Sequence, residues 1–281
     1  MKPREWRLLE TYDVSPALAM GLDEALLLGS DTSVGPGSAQ EAGPEPTLRL
    51  YTWQPDAISL GYFQAFDDVP AAHDHAAVVR RLTGGGAIHH HAGELTFSIT
   101  LDAGDPAYVG SVPDSYERTH EAVMAALRSL GVPGVVMRRD APCLSDRDGT
   151  GMCFHESTPQ DICWPMDREP GLRKGVGTAQ RRIRERGRGR ILHHGSVKLG
   201  GSPLEPGVAT AAEAIRSAVD IEAAAAALKD AVCAEFGVRL RPDSPTEVEC
   251  RRAADLGQRY GSPEFLHRSV RRHWTPSKRS K

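Results

Sequence analysis

The sequence lacks the features of several large protein classes. No hydrophobic run approaches 18 residues, and no basic stretch followed by a hydrophobic one opens the chain, so neither a transmembrane helix nor a signal peptide is predicted. Neither charge sign dominates, because 34 Lys and Arg against 37 Asp and Glu leave a net charge of −3. A nucleic-acid-binding protein would be more basic. We therefore expect a cytoplasmic protein that has neither a membrane nor a nucleic acid as its partner.

Cysteine is also scarce, and the spacing of the cysteines matches no metal-binding or redox motif. The five cysteines, at positions 143, 153, 163, 233 and 250, include no Cys-x-x-Cys pair, which argues against a zinc ribbon or a dithiol redox motif. An odd number of cysteines in a cytoplasmic chain is expected to stay reduced.

Two phosphate-binding signatures are absent. Residues 80–101 read RRLTGGGAIHHHAGELTFSITL, yet no Gly-Lys-[Ser/Thr] follows the glycines and no Gly-x-Gly-x-x-Gly opens a helix. Three adjacent glycines still indicate either a place where a ligand approaches the backbone or a glycine-rich hairpin. Because neighbours on a strand face opposite sides, His89, His90 and His91 cannot all bind one metal ion. No metal site is predicted.

What is present is a pattern of short strands early in the chain and helices late. Strands are predicted over residues 6–13, 47–53, 57–63, 76–82, 93–101, 172–180 and 190–199, the second and third arranged like a hairpin. Helices are predicted over 17–29, 115–130, 207–219, 220–237 and 246–261, with Ser15 and Asp114 capping the first two. This pattern favours an α+β fold, with a mixed, largely antiparallel sheet flanked by helices.

Two segments between these elements are predicted to be irregular, and the chain is predicted to divide near its end. Residues 29–46 are rich in Gly, Pro and Ser, and residues 140–171 form a long loop with three of the five cysteines. We predict a main domain over residues 1–240 and a helical, basic C-terminal tail over 241–281 that packs on it.

Several lysine, cysteine and histidine residues are candidates for taking part in a reaction. Lys174 lies on a predicted strand among small and apolar residues. Burial disfavours the charge of a lysine, so a buried lysine requires either a charged partner or a functional role. The alternative is a solvated lysine at a sheet edge. A cysteine thiolate accepts acyl groups and is favoured by a nearby cation, but chemistry alone does not choose among Cys143, Cys153 and Cys163. His193 and His194 would form a wall of the same cleft or serve a structural purpose.

Taken in order, these segments resemble the biotin/lipoate protein ligase superfamily, in its lipoate-attachment branch, over about residues 6–240. SPALAMGLDEALL is similar to the family's first helix and ISLGYFQ to its Gly-x-x-Gln strand. RRLTGGG is similar to the Arg-Arg-x-[Ser/Thr]-Gly-Gly loop, RKGVGTAQ to the Lys-x-x-Gly-[Ser/Thr]-Ala-Gln strand, and LHHGS to the His-Gly-[Ser/Thr] segment. The resemblance implies a catalytic Lys174 and a substrate site made of Arg81, Thr83, Gly84, Gly85, Gly86, Ala87, His90, Gly177, Thr178, Ala179, His194 and Gly195.

Cys153-Phe154, about twenty residues before Lys174, resembles one subgroup of that family, the LipM-type octanoyltransferases. There the cysteine accepts the acyl group, whereas ligases usually carry an Arg-Asn-Asp-like segment. The resemblance implies that Cys153 is catalytic and that no cofactor is required. Octanoyl-acyl carrier protein would be the donor. The acceptor would be a lysine of a lipoyl domain, as in the glycine cleavage H protein or the 2-oxoacid dehydrogenase E2 subunit. The eight Lys and Arg of residues 173–190 would attract an acidic carrier protein, or would simply be solvated.

Other readings stay open. Gly85-Gly86-Ala87 replaces the subgroup's Gly-Gly-Arg-Gly pattern, and His91 stands where an aspartate is usual. These departures favour an ATP-dependent lipoate ligase, which requires Mg²⁺ and forms a lipoyl-adenylate. They also allow an amidotransferase that moves octanoyl groups between lipoyl domains. A non-catalytic acyl-binding module would have the same pocket without an active thiol.

Overall fold

The computed structural model describes residues 4–29, 44–139, 142–166, 171–185 and 187–269. The strands, in chain order, are β1 (Arg4–Val14), β2 (Thr47–Trp53), β3 (Ala57–Leu60), β4 (Val78–Arg80), β5 (Ile88–His90), β6 (Glu94–Asp102), β7 (Val136–Met137), β8 (Ile162–Pro165), β9 (Leu172–Glu185), β10 (Arg188–Lys198) and β11 (Val238–Asp243). The helices are α1 (Pro16–Leu28), α2 (Pro70–His73), α3 (Val112–Ser129), α4 (Ala211–Ile215), α5 (Ile221–Phe236), α6 (Glu247–Tyr260) and α7 (Pro263–Leu266). Within the described ranges, no helix is both long enough and hydrophobic enough to cross a bilayer.

Most strands belong to one mixed sheet with the order β11-β1-β2-β6-β10-β9-β8-β7. The two pairs that involve β1 are parallel, and every pair from β2 to β7 is antiparallel. A small second sheet has the order β4-β3-β5. The predicted α+β class, with a largely antiparallel sheet flanked by helices, is confirmed.

Helices cover both faces of the large sheet, and β6 shows how the sequence specifies this arrangement. Its apolar side chains, which include Phe97 and Leu101, pack with residues of α3 and α5 in the largest core cluster. The alternate residues Thr96 and Ser98 are also buried but face the opposite side, toward α1. Because side chains alternate along a strand, β6 separates an apolar core from a polar interior. That polar interior becomes the functional site.

The predicted hairpin of residues 47–53 and 57–63 is wrong. β2 pairs with β1 and β6 in the large sheet, whereas β3 ends at Leu60 and pairs with β4 and β5 in the small one. All the residues of both strands are buried. Each strand has a hydrogen-bonded neighbour on both sides within its own sheet, so the two strands do not pair with each other. The short connection between them carries the chain from one sheet to the next.

Helix boundaries were predicted with mixed success. Ser15 caps α1 as expected, because its side chain accepts a hydrogen bond from the amide of Leu18. Asp114 was predicted as the cap of the next helix, and this is wrong. Ser111 caps α3, and Asp114 stands three positions later, where its carboxylate accepts from the Ser111 amide at 2.7 Å. The two residues form a reciprocal capping box.

Two other segments differ from their predicted secondary structure: one helix is shorter, and one loop contains regular elements. The helix predicted over 207–219 shrinks to α4, which ends at Ile215. Its C-cap, Arg216, lies in the left-handed backbone region with a φ of 57°. The loop predicted over 140–171 contains β8 and a 3-10 turn at Cys153–His155. Most of the loop predicted over 29–46 lies outside the described residues.

The carboxyl-terminal part contains a strand that the hydrophobic pattern does not reveal. β11 lies parallel to β1 at the edge of the large sheet, and α6 packs along α1. The predicted boundary at residue 240 therefore falls inside β11. The division of the chain into 1–240 and 241–281 stays a prediction, and residues 270–281 of the basic tail lie outside the described part.

The last described helix, α7, contacts the strand that leads into the glycine loop. The fully buried guanidinium of Arg80 donates to the carbonyl oxygens of Phe265 and Leu266, and also to those of Gly61 and Gln64. The backbone carbonyls at the end of α7 are thereby tied to the residue that precedes Arg81.

Candidate active site

A cavity lies between the two sheets and α1, with Met20 of α1, Trp53 of β2 and His90 of β5 in its wall. The predicted site residues that line it are Arg81, Gly84, Gly85, His90, Cys153, Gly177, Thr178, Ala179, His194 and Gly195. The other predicted residues, Thr83, Gly86, Ala87 and Lys174, do not line the cavity, but each contacts a residue that does. Segments far apart in sequence thus meet at one place.

The glycine loop between β4 and β5 is held by the buried Arg81. Its guanidinium donates to the carbonyl oxygens of Gly84 (2.8 Å), Gly86 (2.7 Å) and Ser59 (2.8 Å). Close packing explains why glycine is required in this region. A Cβ on Gly61 would lie 1.8 Å from the carbonyl oxygen of Gly85, and Gly85 itself has a φ of +91°, a conformation that glycine adopts readily.

The same loop positions the backbone of Cys153. The Cys153 amide donates to the Ala87 carbonyl oxygen at 2.7 Å, and the Ala87 amide donates to the Gly151 carbonyl oxygen at 2.8 Å. A Cβ on Gly86 would lie 2.8 Å from the Cys153 nitrogen. The glycines therefore bring the loop into direct contact with the turn that carries the thiol, in addition to lining the cavity.

Lys174 on β9 contacts Cys153 without lining the cavity itself. Its Nζ lies 3.4 Å from Cys153 Sγ and donates to the Cys153 carbonyl oxygen at 2.8 Å. The Glu156 carbonyl oxygen at 3.2 Å and Asp161 Oδ2 at 3.0 Å complete its surroundings. With a residual exposure of 2%, Lys174 is buried, so the alternative of a solvated lysine at a sheet edge is wrong.

The charge of Lys174 is well compensated. Burial acts to lower the pKa of the ammonium, but Asp161 and Cys153 outweigh it and the pKa is raised above its usual value. The lysine is therefore a permanent cation beside a thiol. Such an arrangement stabilises negative charge on the sulfur.

His194 on β10 belongs to a buried polar chain that reaches α1. Its Nδ1 lies 3.1 Å from Asp23 Oδ2, and its Nε2 lies 2.6 Å from Thr83 Oγ1. Asp23 also accepts hydrogen bonds from Arg49, Tyr51 and Ser98. Burial acts to raise the pKa of the Asp23 carboxyl, but His194 and Arg49 outweigh this effect and lower it. Asp23 is therefore ionised.

His90 on β5 forms a second histidine–carboxylate pair in the cavity wall. Its Nδ1 lies 2.5 Å from Glu94 Oε1, its Nε2 lies 2.8 Å from Ser59 Oγ, and its ring stacks on Trp53 at 3.9 Å. Glu94 is shared with the buried Lys198, whose Nζ lies 2.5 Å away. Burial lowers the pKa of His90 to about 4 despite the nearby carboxylate.

Sequence reasoning missed the acidic partners of the site. Asp23, Glu94 and Asp161 were not singled out, although each forms an ion pair or hydrogen bond with a basic residue of the site. A signal for Asp23 existed, because an acidic residue on the apolar face of a predicted helix requires a buried partner. Asp161 carried no such signal, since nothing in a long loop indicates which carboxylate turns inward.

The remaining loop cysteines lie apart from this cavity, which neither of them lines. Cys143 and Cys163 are both buried, with their sulfur atoms 3.3 Å apart. Cys163 pairs with Lys174 in the ladder between β8 and β9. Among the described residues, no group of three or more His, Cys, Asp or Glu side chains is placed to hold a metal ion.

Comparison with known proteins places this geometry in a family. The sequence profile of the lipoyl protein ligase A/B catalytic domain matches residues 15–232. Octanoyltransferase LipM of Moorella thermoacetica is 32% identical over 95% of this chain and its own full length. Octanoyltransferase LipM of Kyrpidia tusciae is 29% identical over 94% of this chain and 98% of its own.

Solved structures share the fold. A bipartite lipoate protein ligase from Thermoplasma acidophilum superposes with a TM-score of 0.69 at 22% identity, covering 94% of this chain and 96% of its own. A lipoate-protein ligase A bound with ATP gives a TM-score of 0.66 at 23% identity, covering 95% and 99%. At these identities the likeness concerns the fold alone. Since the family profile spans most of the chain and a relative aligns over its entire length, the chain belongs to the lipoyl protein ligase A/B catalytic domain family.

Proposed function

We propose that this protein transfers an octanoyl group from the thioester of an acyl carrier protein to a lysine of a lipoyl domain, with Cys153 as the intermediate acyl acceptor. The enzyme class, octanoyltransferase, rests on the LipM relatives, two of which align with nearly the whole chain. The role of the cysteine rests on one observation: Cys153 lines the cavity and has the Lys174 ammonium 3.4 Å from its sulfur.

In the first half-reaction, the Cys153 thiolate attacks the carbonyl carbon of the donor thioester. A new carbon–sulfur bond forms, the bond to the carrier's sulfur breaks, and the carrier thiolate leaves and takes up a proton. One thioester replaces another, so the step is nearly isoenergetic and needs no ATP. Lys174 stabilises the attacking thiolate, and the amide groups of the glycine loop are the candidate donors to the developing oxyanion.

In the second half-reaction, a lysine amine of the lipoyl domain attacks the acyl-enzyme. A carbon–nitrogen bond forms, and the carbon–sulfur bond breaks with its electron pair returning to Cys153, beside Lys174. The amine nitrogen releases a proton, which the Cys153 thiolate takes up. An amide is more stable than a thioester, and this difference drives the sequence forward. The cavity suits an acyl chain, since Met20, Trp53 and Ile88 contribute apolar side chains to its wall.

A lipoate ligase is the second candidate, favoured by the fold shared with lipoate-protein ligase A. A ligase activates a free acid with ATP and has no need of Cys153. The two functions therefore differ in their requirement for a thiol and for a nucleotide.

The test offers octanoyl-acyl carrier protein to the protein without nucleotide and seeks an octanoyl adduct by intact mass and peptide mapping. We expect the adduct on Cys153, no transfer by Cys153→Ala, and most of the activity in Cys143→Ala and Cys163→Ala. An adduct on Cys143 or Cys163 would contradict the role given to Cys153. ATP-dependent attachment of free lipoate by Cys153→Ser would establish the ligase instead.

A further inference from the structure

Two thiols that the proposed reaction does not use are in direct contact. Cys143 and Cys163 are twenty positions apart in sequence, yet their sulfur atoms lie 3.3 Å apart in the interior. Neither residue lines the cavity. A disulfide can form only where the two backbones already hold the side chains close together, and this pair meets that condition.

The backbone holds the two cysteines against one strand. Cys163 belongs to β8 and pairs with Lys174 of β9. On the other segment, the residue after Cys143 is Leu144, whose amide donates to the carbonyl oxygen of Leu172 on β9 at 2.8 Å. The contact between the sulfur atoms therefore follows from the position of two backbone segments, and not from one side-chain rotamer alone.

The two thiols have different surroundings. The Cys163 thiol and the Ser157 hydroxyl act to lower the pKa of Cys143, against the opposing effect of burial. The pKa of Cys163 is raised, because its hydrogen bond with Cys143 favours the protonated form and burial acts in the same direction. Cys143 also keeps an exposure of 5%, whereas Cys163 is fully buried. A small oxidant would therefore reach and react with Cys143 first.

The loop between these cysteines forms the surroundings of Lys174. The residues that contact its Nζ all lie within this loop: Cys153, Glu156 and Asp161. The backbone amide of Lys174 also donates to the loop, at 3.1 Å from Ser145 Oγ. A bond between the two sulfur atoms would close the loop that carries both the proposed nucleophile and the acceptors of the lysine into a covalent ring.

We propose that Cys143 and Cys163 form a reversible disulfide on exposure to a hydroperoxide, and that this bond stabilises the loop that positions Cys153 against Lys174. The Cys143 thiolate attacks one peroxide oxygen. A sulfur–oxygen bond forms, the oxygen–oxygen bond breaks, and the hydroxide that leaves takes up the proton released by Cys143. The product is a sulfenic acid on Cys143.

The sulfur of Cys163 then attacks the sulfur of that sulfenic acid. A sulfur–sulfur bond forms, the sulfur–oxygen bond breaks, and hydroxide leaves with the proton of Cys163 as water. Two thiols lose two electrons, and hydrogen peroxide becomes two molecules of water. A dithiol reductant restores both thiols, and the reduced pair is the resting state expected under reducing conditions.

The first experiment locates the bond. Because Cys153 lines the cavity and would also react, Cys153→Ser is treated with hydrogen peroxide under native conditions beside the wild-type chain. Remaining thiols are alkylated in denaturant, and the products are analysed by intact mass and peptide mapping. We expect two fewer alkylated thiols in Cys153→Ser, a mapped bond between Cys143 and Cys163, and full reversal by dithiothreitol. Adding Cys233→Ala as a matched control should leave this bond unchanged.

Single variants in the same background test the order of the two steps. Cys163→Ala removes the second thiol, so the oxidised Cys143 should persist as a sulfenic acid and be captured by dimedone. In Cys143→Ala, the buried Cys163 should remain unoxidised at the same dose of peroxide. Capture at Cys163 but not at Cys143 would contradict the proposed order.

The second experiment measures the effect on the loop. A cross-link between residues twenty positions apart restricts the unfolded chain. Oxidised Cys153→Ser should therefore melt roughly 5 °C or more above its reduced form, and the amides of residues 153–157 should exchange more slowly. Oxygen added to the sulfurs without a bond between them, a bond to a different cysteine, or equal melting temperatures would overturn the proposal. Since Cys153→Ser lacks the proposed nucleophile, these outcomes are independent of the proposed function.

Discussion

The lysine beside the nucleophile has both a structural and a chemical task, and the two can be separated. Lys174→Ala removes the ammonium that lies 3.4 Å from Cys153 Sγ. We expect kcat/KM for octanoyl transfer to fall by at least about two orders of magnitude. The variant also leaves Asp161 buried and unpaired, which costs about 3 kcal/mol of unfolding free energy or more.

The double variant Lys174→Met with Asp161→Asn removes both charges and should recover most of the lost stability but none of the activity. Urea unfolding and transfer kinetics measured on the same samples make this comparison. Near-normal transfer by Lys174→Ala would show that the cation plays no chemical part.

Gly177 sets the space beside the thiol. A methyl group at this position would lie 3.1 Å from Cys153 Sγ, closer than an unstrained contact. Gly177→Ala should therefore displace the sulfur and slow acylation of Cys153 by about tenfold, with little change in thermal stability, because small displacements of reacting groups are costly. Gly104→Ala is the matched control, since nothing lies within 4 Å of its added Cβ. Equal acylation rates in the two variants would contradict this reading.

At the scale of elements, α1 and α6 touch through glycine. A Cβ on Gly21 would lie 2.0 Å from the Ala253 carbonyl oxygen, so Gly21→Ala should push α6 away from α1 and lower the unfolding free energy by about 2 kcal/mol. Helix propensity alone predicts the opposite, a gain of up to about 1 kcal/mol. The sign of the change, measured by urea unfolding, distinguishes contact from propensity. Faster proteolysis within α6 should accompany the loss.

The success of prediction differed among elements for physical reasons. α1, α3, β6, β9 and β10 have strong periodicity or local caps, and the sequence predicted each of them. β2 and β3 were predicted as strands but paired wrongly, because pairing depends on partners distant in sequence. β11 has only the short alternation of Val238 to Arg241 before Pro242 interrupts it, and a proline in a short run weakens the signal of a strand.

The site residues also divide into those that a sequence pattern marks and those that only tertiary contacts reveal. Motif residues such as Lys174 and His194 were found because the family pattern marks them. Their partners Asp161 and Asp23 became apparent only through tertiary contacts.

Across the whole molecule, buried neutral histidines make stability depend on pH. Burial lowers the pKa of His90 and of His120 to about 4, whereas both would titrate near 6.5 in the unfolded chain. The unfolded state therefore binds more protons between pH 6.5 and 4, and stability falls as the pH drops through this window. At pH 5 each imidazole should cost about 2 kcal/mol relative to neutral pH.

Urea unfolding at pH 7.5 and pH 5.0 measures this loss. His120→Gln should reduce the difference between the two pH values by about 2 kcal/mol, because glutamine does not titrate. The lowered pKa values of the Asp23 and Glu94 carboxyls affect stability only at more acidic pH. A difference that His120→Gln leaves unchanged would assign the pH dependence to other groups.

The contact between Arg80 and α7 bears on how much chain the catalytic unit needs. The family profile ends at residue 232, so a fragment cut there would look complete by homology. It would nevertheless lack the carbonyl oxygens of Phe265 and Leu266 that hold the Arg80 guanidinium. A buried, half-satisfied cation would then lie directly before Arg81, the residue that anchors the glycine loop. The smallest autonomous enzyme therefore extends beyond the region that the family profile matches, through α7 at least.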